Sequence, residues 1–175
     1  MGEIAGHSRT VGQGVVTAAS GGMAGAQCAL PPGVLLTPLR QIPNPKGDIF
    51  HALTAADAGF HGFGEAYFTH ILCGQTKGWK QHQRMVLNLI VPHGAVRFHL
   101  FDPVANNGSH VLLGSAPGLY ARLTVPPGIW LAFSGVGPEN NLILNLASIA
   151  HDPAEAQNAD LGSWPVFGGI LAEAQ

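Results

Sequence analysis

Charged side chains are scarce in this chain. Eight Lys and Arg stand with ten Asp and Glu among 175 residues, 10% in all, against about a quarter in ordinary soluble domains. A surface so poor in charge is either polar and neutral or covered, and we expect it to be covered by a second copy in a homodimer. The net charge is only -2 and there is no Lys/Arg block, so the long-range positive field that nucleic-acid binding draws on is missing and that class of partner is excluded. The two cysteines, Cys28 and Cys73, form neither a CxxC pair nor a zinc-type spacing, and they read as reduced thiols. No uninterrupted apolar run reaches membrane-spanning length, and the N-terminus lacks the charged-then-apolar order of a secretion signal. The expectation is a cytoplasmic protein without a membrane partner.

Residues 1–33 carry eight glycines and two charged side chains, Glu3 and Arg9, with no sustained period of 2 or 3.6. So few large apolar groups do not offset the entropy of ordering, so this stretch reads as a flexible N-terminal arm ahead of one domain over 34–175. From Val34 onward, short runs with strand patterning alternate with Pro/Gly turn signals: about 34–39, 48–53, 66–72, 84–91, 95–101, 109–113, 119–125, 129–134 and 141–149. Their spacing leaves no room for crossover helices, so the fold class is all-β, an antiparallel sandwich or barrel. One helical signal closes the chain. Asp152 as cap, Pro153 in the first helical position and Glu155 three after the cap predict a short helix over 153–159, which closes the barrel and is assigned no chemistry.

The stretch from Lys77 to Phe101 is the richest in chemistry. From Lys80 the even positions are Lys80, His82, Arg84, Val86, Asn88 and Ile90, whereas Met85, Leu87, Leu89 and Val91 are odd, and strand geometry sends the two sets to opposite faces. After Pro92 and Gly94 a second alternation puts Val96, Phe98 and Leu100 on one face and Arg97 and His99 on the other. If these two strands pair, Lys80, His82, Arg84, Asn88, Arg97 and His99 share a surface. Five of the eight cations, Lys77, Lys80, Arg84, Arg97 and Arg122, fall in residues 77–122, where Asp102 is the only acid. That local surplus suits a small anion such as a pyrophosphate.

Three motifs together resemble the sugar-nucleotide epimerases and ketoisomerases of the RmlC-like cupins, the dTDP-4-dehydrorhamnose 3,5-epimerases and dTDP-4-keto-6-deoxyhexose 3,4-ketoisomerases. The ketoisomerase turn Arg-Gly-aromatic-His-Ala-His-Lys has its counterpart in Lys77, Gly78, Trp79, Lys80, Gln81, His82 and Gln83, with Gly94 ending the next strand. Val125, Pro126, Pro127, Gly128, Ile129 and Trp130 resemble the Val-Pro-Pro-x-x-Trp element, and LILNLASIAHDP at 142–153 resembles a final strand of the form LVLAS with its acidic tail. The resemblance spans roughly residues 40–160 and implies a cupin jelly roll. It departs at two places: Lys80 stands where the family has the first histidine of His-x-His, and no tyrosine follows Tyr120.

The resemblance implies a metal-independent epimerase or ketoisomerase of a nucleotide-linked 4-keto-6-deoxy sugar, working without cofactor. His82 would be the base and Lys80 a second acid/base or a phosphate contact. Lys77, Arg84, Asn88, Arg97, His99 and Arg122 would bind substrate, with Tyr120 and Trp130 stacking on base or sugar. Metal-dependent cupins use His-x-His, a glutamate four or five residues on, and a histidine three after Pro-x-Gly; those places hold Lys80 and His82, Val86 or Leu87, and Leu131. One ligand in four is too few, so no metal is expected. The rival reading is a non-catalytic cupin that binds a sugar nucleotide or related anionic small molecule.

Overall fold

Strands with one apolar and one polar face bury the apolar sides by stacking two sheets. The computed structural model describes residues 29–164, and over that range the chain does this. Its strands are β1 (Leu35–Pro38), β2 (Gln41–Ile42), β3 (Ile49–Phe50), β4 (Glu65–Ile71), β5 (Thr76–His82), β6 (Leu87–His93), β7 (Ala95–Asp102), β8 (Asn107–Gly114), β9 (Ala121–Val125), β10 (Trp130–Gly135), β11 (Asn141–Ala147) and β12 (Ala156–Asn158). One five-stranded sheet has the order β1-β9-β6-β11-β4, the other β12-β5-β10-β7-β8, and β2 and β3 form a small ribbon. All these pairs are antiparallel, giving the expected jelly-roll barrel. Residues 1–28 of the expected arm, Cys28 among them, lie outside the described residues, as do 165–175.

The core lies between the sheets. Leu87, Leu89 and Val91 of β6, Leu123 and Val125 of β9 and Ile143 of β11 meet Val96, Phe98 and Leu100 of β7, Val111 and Leu113 of β8 and Leu131 of β10. The apolar halves of both alternations therefore face inward as read. What differs is the pairing: β6 lies between β9 and β11, while β7 lies between β10 and β8 in the opposite sheet. Gly94, at φ 79°, turns the chain from one sheet to the other. Two consecutive strands in facing sheets point their polar sides away from each other, so the six-residue polar surface expected from their pairing does not form.

Local competition accounts for the other departures. Lys80 and His82, read as one strand with residues 84–91, belong to a separate strand, β5, that also takes in residues 76–79 and lies in the opposite sheet from β6, and β2 and β12 are strands where none was expected. The helix over 153–159 is a single 3₁₀ turn, Pro153–Glu155, capped by Asp152 through Ala154 N–H. Beyond it the backbone is extended, because residues 156–158 pair with β5: Ala156 opposite His82, Gln157 opposite Gln81 and Asn158 opposite Lys80. A sheet edge in need of partners outcompetes a helix of seven residues, too short to be stable by itself.

The C-terminal segment is fastened by aromatics. Trp79, on the outer face of β5, donates its indole N–H to Leu161 O at 3.1 Å, and Trp164 packs on Trp79, Phe101 and Trp130 at centroid distances of 5.2, 5.1 and 4.7 Å. On the other sheet, the polar outer side of β6 and β9 is covered by the loop over residues 51–60. Arg122, fully buried, bonds Ala52 O and Asp57 Oδ2 at 2.9 and 2.6 Å, and Asn88 bonds Gly59 O and Thr124.

Between Leu131 and Phe133 of β10 the partner strand advances from Lys80 to Lys77, so β5 carries one extra residue as a bulge at Gly78 and Trp79. Gly78 sits there at φ 127° with its missing Cβ position 2.5 Å from Ala132 Cβ and 2.6 Å from Ala132 Cα. Gly78→Ala should therefore destabilise the fold by about 2–4 kcal/mol, measured by urea unfolding; an unchanged midpoint would show that β5 absorbs the side chain.

Candidate active site

Inside the barrel, strand periodicity directs Lys80 and His82 of β5 to one face, and the bulge adds Lys77 to the same side. With Gly78 they line a cavity of about 380 Å³ whose other walls are Tyr67 and Thr69 of β4, Leu87 and Leu89 of β6, Leu131 and Phe133 of β10, Ile143 and Asn145 of β11 and Asn158 of β12. The floor is apolar. The polar groups gather on β4, β5, β11 and β12, an arrangement common to small-molecule sites. Lys77 Nζ donates to His70 O at 2.8 Å and so spans from β5 to β4.

The shortest hydrogen bond made by a residue of the cavity wall joins His82 to Glu155. His82 Nδ1 lies 2.5 Å from Glu155 Oε2. The second oxygen, Oε1, accepts the backbone N–H groups of Arg84 and Met85 at 2.7 Å each. Burial pushes this carboxyl toward the neutral form, but the His82 bond and the two N–H groups outweigh it and hold the pKa down at about 2. An ionised carboxylate can only accept, so Nδ1 carries the proton of this contact, and in the neutral ring Nε2 is the nitrogen that keeps a lone pair.

Across the cavity Tyr67 and Asn145 are direct cross-strand partners, and Asn145 Nδ2 donates to the Tyr67 hydroxyl oxygen at 2.7 Å. Together these groups offer a base held in one tautomer, a phenol, two ammonium groups and amide donors and acceptors, beside an apolar floor. That set can take a proton from one carbon and return one elsewhere.

Of the residues singled out from sequence, Lys77, Lys80 and His82 line this cavity. Arg84, Asn88, Arg97, His99, Tyr120, Arg122 and Trp130 do not. Arg84 is exposed and pairs with Asp152 at 3.3 Å. Asn88, Arg122 and Tyr120 belong to the covering of the first sheet, where the Tyr120 hydroxyl donates to His51 O at 2.9 Å and its ring packs edge-on against Phe50. Arg97 and His99 point out of the second sheet. His99 is fully buried and bonds Ser134 Oγ at 3.0 Å, and burial, followed by the charges of Arg97 and His110, lowers its pKa to about 4, so it stays neutral. Trp130 is an aromatic packing partner of Trp164.

Sequence reasoning missed Tyr67, Asn145, Asn158 and Glu155. Asn145 did leave a signal, a lone amide on the inward side of the run LILNLA, and Tyr67 alternates with Thr69 on an expected strand. Glu155 left none, because its partner His82 is 73 residues away.

Comparison with known proteins agrees with the fold. No protein-family model and no curated protein matches the chain. Among solved structures, a dTDP sugar isomerase from Desulfovibrio desulfuricans G20 is 33% identical with a TM-score of 0.72, over 75% of this chain and 87% of that one. The 3,4-ketoisomerase QdtA from Thermoanaerobacterium thermosaccharolyticum, solved with TDP-4-keto-6-deoxyglucose as a histidine-to-asparagine variant, is 18% identical, covers 83% and 96%, and has a TM-score of 0.64. The rmlC epimerase of Mycobacterium tuberculosis is 18% identical over 77% and 75%, with a TM-score of 0.66. The chain belongs to the RmlC-like cupin family of sugar-nucleotide enzymes.

Because Glu155 is depressed from 4.5 to about 2 and Asp57 from 3.8 to about 2, the stability each contributes is fully present above its unfolded pKa and is lost as pH falls through the folded value. Chemical unfolding between pH 7 and pH 3 should show stability declining below about pH 4.5. Glu155→Gln should cost about 1.5–3 kcal/mol at pH 7 and flatten that decline; an unchanged slope would mean that Glu155 is not ionised in the folded protein.

Proposed function

We propose that the protein is a metal-independent, cofactor-free isomerase of a nucleotide-linked 4-keto-6-deoxy sugar, acting as an epimerase or a ketoisomerase. The observation that carries this is the His82–Glu155 pair, with His82 lining the cavity. His82 takes the proton from the carbon beside the ketone, and the electron pair moves onto the carbonyl oxygen to give an enolate, an enediolate where that carbon carries a hydroxyl. Lys80, in the place of the family's first histidine, is a second acid/base or a phosphate contact, and its mutant decides between the two. A proton then adds to the opposite face of the same carbon in an epimerase, or to the former carbonyl carbon in a ketoisomerase, where the hydroxyl proton passes from the oxygen that becomes the new ketone to the oxygen that becomes the new hydroxyl. Tyr67, the cavity's phenol, is the acid that serves the side away from His82. The apolar floor of Leu87, Leu89, Leu131, Phe133 and Ile143 fits a sugar with a methyl in place of a hydroxymethyl group.

Substrate anchoring falls to fewer cations than the sequence suggested. Lys77 and Lys80 are the two on the cavity, and the diphosphate is placed there. No helix among the described residues is long and apolar enough to cross a membrane, and a cytoplasmic location is part of this reading.

Incubation with dTDP-4-keto-6-deoxyglucose in deuterium oxide should place deuterium at a carbon adjacent to the ketone, at C3 or C5, and the product names the reaction. His82→Asn should lower exchange about 100- to 10,000-fold while dTDP binding stays within a few-fold. Lys80→Ala should weaken dTDP binding by about 1.5–3 kcal/mol. No exchange by the parent with any keto-sugar nucleotide would leave a sugar-nucleotide binding module in place of the enzyme.

The homodimer is part of the proposal. Strand β4 is a sheet edge among the described residues, and beside it Phe63, Phe68 and Leu72 are 67%, 62% and 58% exposed. An unpaired edge flanked by large apolar side chains suits a second copy of this chain. Light scattering should give a dimer at micromolar concentration and a smaller species for Phe68→Glu; a monomeric parent would refute it.

A further inference from the structure

Asn145 is out of place for stability alone. It is 3% exposed, on the inward side of β11 between Ile143 and Ala147 and opposite Leu89 of β6. Its Nδ2 has the Tyr67 hydroxyl oxygen at 2.7 Å, but its Oδ1 is buried without a hydrogen-bond partner. A buried carbonyl that has given up water and gained nothing lowers stability, and an apolar side chain of similar size avoids that loss. A residue that costs stability beside a cavity is retained for what it does there.

What it does follows from the direction of the bond. The phenol oxygen of Tyr67 accepts from Asn145 Nδ2, so its own O–H has to point away from Asn145, and Tyr67 lines the cavity. We propose that Asn145 is a positioning residue that fixes the Tyr67 hydroxyl rotor, so that the phenol presents its proton to a ligand oxygen or carbon in the cavity. It rests on the isomerase reading in that Tyr67 is the group returning or receiving a proton opposite His82. The proton balance is unchanged: Asn145 gives up none, and Tyr67 exchanges one with the substrate and recovers it from solvent or product.

The test compares the parent with Asn145→Leu, Asn145→Val, Tyr67→Phe and the double variant Tyr67→Phe/Asn145→Leu. Either apolar variant should keep or raise the melting temperature and keep dTDP binding within about twofold. It should lower kcat with dTDP-4-keto-6-deoxyglucose about tenfold, the size of one neutral hydrogen bond. The double variant should be no slower than Tyr67→Phe alone, because Asn145 acts through that phenol. A melting temperature that falls together with kcat, or losses that multiply in the double variant, would overturn the assignment. A readout independent of turnover keeps the two proposals apart. In a Tyr120→Phe background Tyr67 is the sole tyrosine, and its Raman C–O band should show an accepting phenol that Asn145→Leu converts to a non-accepting one. If that change is seen although the parent shows no exchange, the isomerase reading fails and the positioning contact stands; an unchanged band would overturn the contact itself.

Discussion

The site depends on one buried charge. Glu155 is 3% exposed, remains ionised, and is satisfied by His82 Nδ1 and the backbone N–H groups of Arg84 and Met85. Those three donors lie in the bend where the chain leaves β5 for β6, so the carboxylate ties the C-terminal segment to the point at which the polypeptide changes sheet. A buried charge with its partners in place is tolerable, but one left without them is costly, and this makes the arrangement all-or-none. The same bond that secures the segment fixes the tautomer of His82, so stability and chemistry share a contact.

Around that contact the barrel makes an asymmetric cavity. Its floor comes from strands whose inward residues are aliphatic or aromatic, and its polar groups come from β4, β5, β11 and β12. The bulge in β5 is what allows Lys77 to join Lys80 and His82 on one side, since a regular strand would send residues 77 and 80 to opposite faces. Trp164, edge-on to Trp79 and tilted against Trp130, holds the C-terminal segment against β5 and so keeps Asn158 at the wall and Glu155 beside His82. The cations Arg97 and Arg122, which sequence counting assigned to an anion, serve instead on outer faces, Arg122 as the clamp on the 51–60 loop.

How much of this was legible in the sequence follows the range of the interactions. Period-2 alternation is a local property, so the strands and the inward direction of Leu87, Leu89, Val96, Phe98 and Leu100 could be read directly. Sheet partnership is not local. The turn at Gly94 is compatible with a hairpin or with a crossing between sheets, and the polar residues of β6 and β7 share a surface only in the first case. The C-terminal segment failed for the same reason, because Asp152, Pro153 and Glu155 satisfy the rules for a helix start while the unpaired edge of β5, more than 70 residues away, decides the outcome. Lys77, Lys80 and His82 were found because their strand runs through the most polar part of the chain; Glu155, Asn145 and Tyr67 are defined by what lies across from them.

The central claim is that Nε2 of His82, with Nδ1 tied to Glu155, faces the reacting carbon of a keto-sugar. The most direct measurement is a crystal structure of the His82→Asn variant with dTDP-4-keto-6-deoxyglucose bound. The account predicts the sugar in the cavity between β5 and β4, with the residue 82 side chain within about 3–3.5 Å of a carbon adjacent to the ketone, the spacing of a near-attack geometry, and the diphosphate near Lys77 and Lys80. A sugar seated outside this cavity, or one whose ketone faces away from residue 82, would contradict it.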